Sequence, residues 1–305
     1  APLKYQAYDG SEGLGDSVMG GGLIETFAFG GPQPASQAPG SRLIPSPHRP
    51  FSLADSMAIA TYPDFLPSFN RLRLWRGALD FTPSYTYWPI GQGSERSRRF
   101  WIGDAGFIED TGLLAMLQRK AKRVGMFLFV GPGQQISGVD YCDLDSQIQA
   151  GTFDPATFDP KGKIADSLYV IFGYPYDDGT WHKSHNTVFE QSEMFSVACQ
   201  LQLLKNQGKP LVYRRTHQVK ANPYWGITPY LVDIVYVYND RLPEFEQLLP
   251  ADTQQSLRTD MKGFPTDLPA GLYLAPRIIK LMSAQSEYTV MQNRGVFQDL
   301  FSKSG

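Results

Sequence analysis

Residues 99–130 constrain this chain more than any other stretch. RFWIG (99–103) reads as a short strand, AGFIEDT as a turn, GLLAMLQRKAKR (112–123) as a helix, and VGMFLFVG as a second strand. Leu113, Leu114 and Leu117 share one side of that helix, as a 3.6-residue period requires of a core face. Arg119, Lys120, Lys122 and Arg123 cover its last turn, where cations favour the helix dipole. The run that follows is apolar without interruption and of strand length. Strand, helix and strand at this spacing predict a βαβ unit in a parallel sheet buried on both faces.

The rest of the chain extends that reading. Residues 1–50 are rich in Gly, Pro and Ser, including GGG at 20–22 and GGPQPASQAPGSRLIPSPHRP at 30–50, so they predict loops packed over a larger body, with one short strand at Leu23–Phe29. FSLADSMAIAT (51–61) predicts a buried helix with Ser52 as N-cap, closed by Pro63. The polar stretch from Gln134 to Lys163, with its near-repeat TFDPATFDP (152–160), predicts a surface loop. Leu168–Phe172, Leu211–Arg215 and Tyr230–Tyr238 are strand candidates by their Val, Ile and Tyr content. Helices are predicted over Thr187–Asn206, Arg241–Leu249, Asp252–Met261 and Pro276–Arg294. Mixed elements without a long repeat give an α/β fold.

With 305 residues, the chain is long enough for one large domain. Hydrophobic residues at 42% and charged residues at 19% exclude a disordered or fibrous class. A net charge of −2 gives no reason to expect a nucleic-acid partner, which would need a clustered excess of Lys and Arg. The longest apolar stretch, Val124–Val130, is far short of the ~20 residues of a spanning helix, so the expectation is a protein that is soluble or peripheral to a membrane. Cys142 and Cys199 allow at most one bridge, and two ordinary thiols are expected. No Asn-x-Ser/Thr sequon occurs. The chain opens on Ala1 without a leader pattern, which reads as a processed or truncated product.

The stretch with the most chemistry is GDAGFIEDTGLLAMLQR (103–119). It resembles the aspartate motif of patatin-like and cytosolic-phospholipase-A2-like lipid acyl hydrolases: D-G-G, a short spacer, then an Asn/Asp-Thr/Ser-Gly-Leu element opening a helix. Asp104, Gly106, Asp110, Thr111, Gly112, Leu113 and Leu117 match in order and spacing, Gly103 precedes them, and Ala105 stands where the family has a glycine. GGGLIETFAFGG (20–31), PFSLADSMAIA (50–60), YWGITPYLVDIVYVYNDRLPEFEQLLP (224–250) and FPTDLPAGLYLAPRIIKLMSAQSEYTV (264–290) resemble further family segments in the same order. The resemblance covers most of the chain.

That resemblance implies a three-layer α/β sandwich with a mainly parallel central sheet. It also implies a Ser–Asp dyad without an intervening His. Asp104 would be the base, with no cofactor and no metal. A buried carboxylate at a strand end is suited to this, because desolvation raises its proton affinity. The nucleophile elbow, G-x-S-x-G, occurs nowhere in the 305 residues. In the family the elbow and its oxyanion loop precede the aspartate, so both are expected upstream of Ala1. The chain is then the C-terminal part of one catalytic domain, incomplete at its N-terminus, with an N-terminal chain of the same precursor as a partner and a lipid ester at a membrane or lipid surface as substrate.

Other readings compete. Ser17 in GLGDSVMGG has the look of an SGNH-esterase Gly-Asp-Ser, but none of His48, His182, His185 and His217 supplies the late Asp-x-x-His that family needs. Asp177, Asp178, His182 and His185 could be taken for metal ligands; a polar surface loop explains them with less. The basic run 119–123 could meet lipid headgroups, against the simpler reading of a solvated helix end. For Asp104 itself the plain alternative is a turn aspartate. Ala105 and the missing elbow also allow a catalytically silent member with a storage, structural or assembly role.

Overall fold

The computed structural model describes residues 52–55, 84–87, 98–101, 109, 111–131, 133–175, 186–223, 225–261, 263–265 and 276–302. The chain divides into two compact units, 1–118 with 223–226, and 119–222 with 227–305. The predicted strand at Leu23–Phe29 and the loop-dominated segment 1–50 lie outside the described residues.

In the first unit, the predicted N-cap at Ser52 forms. The Ser52 backbone N–H and Oγ donate to Asp55 Oδ2 at 2.8 and 2.6 Å, and the Asp55 N–H donates back to Ser52 Oγ at 3.2 Å. This reciprocal pair is a capping box, closing two orphan donors of a helix start. Strand β1 (Ser84–Tyr87) pairs antiparallel with β2 (Arg98–Trp101), with Ser84 opposite Trp101 and Tyr87 opposite Arg98. Helix α1 (Leu113–Gln118) buries Leu113, Leu114 and Leu117, the three residues its sequence period puts on one side.

The helix is shorter than predicted. It ends at Gln118, and Lys120 turns into the left-handed region at φ 56°, so the basic residues beyond it cover no helical turn. The predicted βαβ unit does not form among the described residues, because β2 and β3 belong to different sheets. Pairing β2 with the nearby β1 closes a short loop, which costs less chain entropy than a crossover.

The second unit is built on three strands in the order β3-β5-β4, namely β3 (Arg123–Phe129), β4 (Val212–Val219) and β5 (Tyr230–Asn239). The central β5 runs parallel to β3 and antiparallel to β4, so the sheet is mixed. The predicted strand Leu211–Arg215 is confirmed from Val212 and Tyr230–Tyr238 throughout, and β4 extends further, to Val219. The apolar run of β3 is not buried on both faces: Met126 and Leu128 are in the core, whereas Phe127 between them is 57% exposed. Among the described strands, only β5, flanked on both edges, is enclosed on both faces, with Ile234 through Tyr238 all buried.

Helices lie against both faces. On one, α8 (Arg294–Phe301) sets Phe297 and Leu300 against Val212, Val235 and Val237. On the other, α4 (Gln191–Asn206) buries Met194, Val197, Ala198 and Leu201. The remaining helices are α2 (Leu144–Gln149), α3 (Asp166–Tyr169), α5 (Pro243–Gln247), α6 (Ala251–Thr259) and α7 (Pro276–Gln292). Leu168–Phe172, predicted as strand, is helical: α3 runs into a 3-10 turn at Val170–Phe172, and Gly173 closes it at φ 89°. Its six residues from Ser167 are buried in succession, and a short run apolar on every side has no period to separate the two states.

The TFDPATFDP stretch is anchored rather than loose. Each copy sends its Phe inward to a cluster of Phe153, Phe158 and Phe195. Each Asp accepts from the N–H two residues on, Ala156 and Lys161, both at 2.9 Å, which is the Asx-turn use of that side chain. Cys142 and Cys199 are joined in a disulfide, not left as thiols, and it ties the segment before α2 to the middle of α4. No helix among the described residues is long and apolar enough to cross a membrane.

Candidate functional site

Of the aspartate motif, Glu109 and the residues from Thr111 onward are described. Asp104, Gly103, Ala105, Gly106 and Asp110 lie outside the described residues. Thr111 and Gly112 form the entry to α1. The Thr111 Oγ1 accepts from the Leu113 N–H at 3.2 Å, and Thr111 in turn donates its N–H to Glu109 Oε1 at 2.8 Å and its hydroxyl to the same oxygen. Gly112 sits at φ 70° with no atom near a would-be Cβ, so the conformation, not crowding, selects glycine here. The Met116 N–H closes the first turn on the Gly112 carbonyl at 3.2 Å. Glu109 was not among the predicted site residues, although an acidic side chain two before a helix-opening threonine is a legible capping signal.

A second polar constellation lies within the other unit. Glu193, in the first turn of α4, places Oε2 2.6 Å from His217 Nδ1, and the opposite ring nitrogen is 2.9 Å from the Tyr236 hydroxyl. With Nδ1–H donating to the carboxylate, Nε2 accepts from Tyr236. Burial lowers the His217 pKa below its ordinary value, outweighing the opposing pull of Glu193. Burial likewise raises Tyr236 well above the usual phenol range. Both side chains are fully enclosed, with the Phe172 and Phe189 rings 5.7 and 4.6 Å from the imidazole. No substrate reaches them, so this relay fixes α4 to the sheet rather than moving protons to a ligand.

His217 escaped sequence reasoning because the predicted strand stopped at Arg215. The signal was the period-two continuation Arg215, His217, Val219, which puts the imidazole on an inward position of β4. The Asp177, Asp178, His182 and His185 group lies outside the described residues, as do Ser17 and His48. Among the described residues no group of three or more His, Cys, Asp and Glu is gathered as a ligand set.

The ends of the strands hold a further polar corner. Tyr238 donates to the Gln134 carbonyl at 2.5 Å and accepts from the Ala165 N–H at 2.7 Å. Just beyond β5, the buried Asp240 carboxylate is paired with Lys205 at the end of α4 at 2.8 Å and accepts from the Arg241 N–H at 2.7 Å. Comparison with protein-family models, with curated proteins and with solved structures gave no match.

Proposed function

We propose that this chain is the C-terminal part of a patatin-like, cytosolic-phospholipase-A2-like lipid acyl hydrolase, with Asp104 as the base of a Ser–Asp dyad. In that reading the small mixed sheet belongs to a three-layer sandwich with a mainly parallel centre. The observation that carries it is the Thr111–Gly112 turn. The motif requires a hydroxyl residue and a glycine that open a helix a fixed distance after the aspartate. Here Thr111 caps, Gly112 takes the left-handed conformation, and α1 follows at once.

The chemistry is acyl transfer. The serine hydroxyl, supplied from a segment preceding Ala1, adds to the ester carbonyl as its proton passes to Asp104. The alcohol leaves with that proton, and water then hydrolyses the acyl-serine by the same route. The substrate class is phospholipid, lysophospholipid or galactolipid esters presented at a membrane or lipid surface, and the serine-bearing partner is the N-terminal chain of the same precursor. The test is hydrolysis of a lysophospholipid by this chain together with its upstream segment. Asp104→Asn lowers the rate by about a thousandfold or more, in line with losing a general base and its placement, and leaves the melting temperature unchanged. Retained activity removes Asp104 from the role.

The silent-member alternative rests on Ala105, which stands at the family's glycine. A fluorophosphonate probe separates the two. Labelling of an upstream serine supports the hydrolase, and no labelling with the upstream segment present supports the scaffold.

A further inference from the structure

The second unit has a cleft at the carboxyl ends of its parallel strand pair, and nothing in the acyl-hydrolase reading uses it. It has a volume of about 220 Å³ and is lined at the ends of β3 and β5 by Phe127, Leu128, Val237 and Tyr238, and from α7 by Gln285 and Ser286. An apolar cavity of about 150 Å³ already takes a benzene-sized molecule, and open α/β sheets bind ligands outside the carboxyl ends of their strands.

Gln285 marks the cleft as more than a packing fault. It is a polar side chain only 2% exposed. Its Nε2 donates to Asn239 Oδ1 at 3.1 Å and to the Asp240 carbonyl at 3.0 Å. A backbone carbonyl can only accept, so this contact fixes which end of the amide is nitrogen. The other end, Oε1, is buried with no hydrogen-bond partner in the protein. An unpaired buried acceptor has lost its hydrogen bond to water and gained none in return, and the group that would relieve it is a donor brought by a ligand.

The walls decide which donor. The one carboxylate at the cleft, Asp240, is already paired with Lys205 at 2.8 Å, so no unbalanced charge draws a cation. A carboxylate ligand would bring acceptors to an acceptor. From this geometry we infer that the cleft is a binding site for a small neutral alcohol, whose apolar body packs on Phe127 and Val237 and whose hydroxyl donates to Gln285 Oε1. The site is independent of the Ser–Asp reading, since none of its residues belongs to the aspartate motif.

The test uses the full 305-residue chain and three matched probes, benzyl alcohol, toluene and benzoate, with binding followed by ligand-observed NMR titration. Benzyl alcohol binds at least tenfold more tightly than toluene, the ratio expected when a buried acceptor is left unpaired, and benzoate binds more weakly than either. Ser286→Phe fills the cleft from its half-exposed side of α7 and removes benzyl alcohol binding, while the circular-dichroism spectrum stays unchanged. Gln285→Met brings benzyl alcohol and toluene to the same affinity. The inference is overturned if benzyl alcohol does not bind, if toluene binds as well to the native chain, if benzoate binds most tightly, or if Ser286→Phe leaves the affinity as it was. Should Gln285→Met not fold, the native chain and Ser286→Phe still decide the question.

Discussion

The two faces of the three-stranded sheet are covered by different means. On the α8 face, Val212, Val235 and Val237 meet Phe297 and Leu300 in a purely apolar contact. Polar groups there stay at the periphery: Arg214 pairs across strands with Asp233 at 2.9 Å, and Arg123 donates to the Leu300 carbonyl at 3.4 Å near the end of α8. On the α4 face, polar groups are inside. The buried His217 and Tyr236 form a chain that ends on the partly exposed Glu193, and Tyr238 binds two backbone groups. Apolar contact is non-directional and tolerates exchange at similar volume. A buried hydrogen-bonded chain is met by one register only, because each unmet partner costs its desolvation. The α4 face therefore fixes how the strands and helix are aligned, and the α8 face adds burial.

The contrast can be broken most strongly through α4. Replacing Cys142 and Cys199 with serine removes a cross-link spanning 57 residues. On the chain-entropy account this costs about 4 kcal/mol. The urea midpoint falls accordingly, and amides of α4 exchange faster while those of α8 are little changed. An unchanged midpoint would mean that α4 is held without the bridge. Next in size is His217→Ala, which opens a cavity and strands the buried Tyr236 hydroxyl, at about 3 kcal/mol. On the other face, Phe297→Leu removes apolar volume but strands no polar group, and costs less, about 1–2 kcal/mol. Equal losses from the two would erase the distinction between the faces.

Acid provides a third test. Burial lowers the His217 pKa in the folded chain, so the unfolded chain binds the proton first as pH drops. The stability His217 contributes is present above its unfolded value of about 6.5 and is lost as pH falls below that. The slope from this one group is at most about 1.4 kcal/mol per pH unit. Thermal unfolding from pH 7.5 to 5 shows the decline, and His217→Gln flattens it. A slope that survives the substitution assigns it to other groups. The smallest effect is expected from Arg214→Met. With its side chain 35% exposed, that ion pair contributes less than about 1 kcal/mol, and less still in high salt.

Local chemistry was legible without the structure. The Ser52 cap, the core face of α1, β5, and the bodies of α4, α6 and α7 follow from capping residues and from period. What misled was context. VGMFLFV reads as a strand enclosed on both faces, but among the described strands β3 is an edge, and nothing in its own residues says that one face of Phe127 stays open. The apolar run at Leu168–Phe172 carries no period and folds as helix. The basic residues after Gln118 read as a helix end, but Lys120 cuts the helix short, and Arg123 instead serves the end of α8. The candidate dyad rests on resemblance alone; of its motif Thr111 and Gly112 are among the described residues, and Asp104 lies outside them.

By itself, then, the sequence determined the mixed α/β character of the chain, the helix that opens at Thr111 and Gly112, and the strand identity of β3 and β5, all of which depend on neighbours within a few residues. Only the tertiary structure decided that β3 pairs with β5 rather than β2, that Cys142 meets Cys199, that His217 lies between Glu193 and Tyr236, and that Gln285 is left with an unpaired oxygen at a cleft. Each of these joins residues far apart in the chain. Such pairings are selected by the summed burial and hydrogen bonding of the whole unit, which no local pattern encodes.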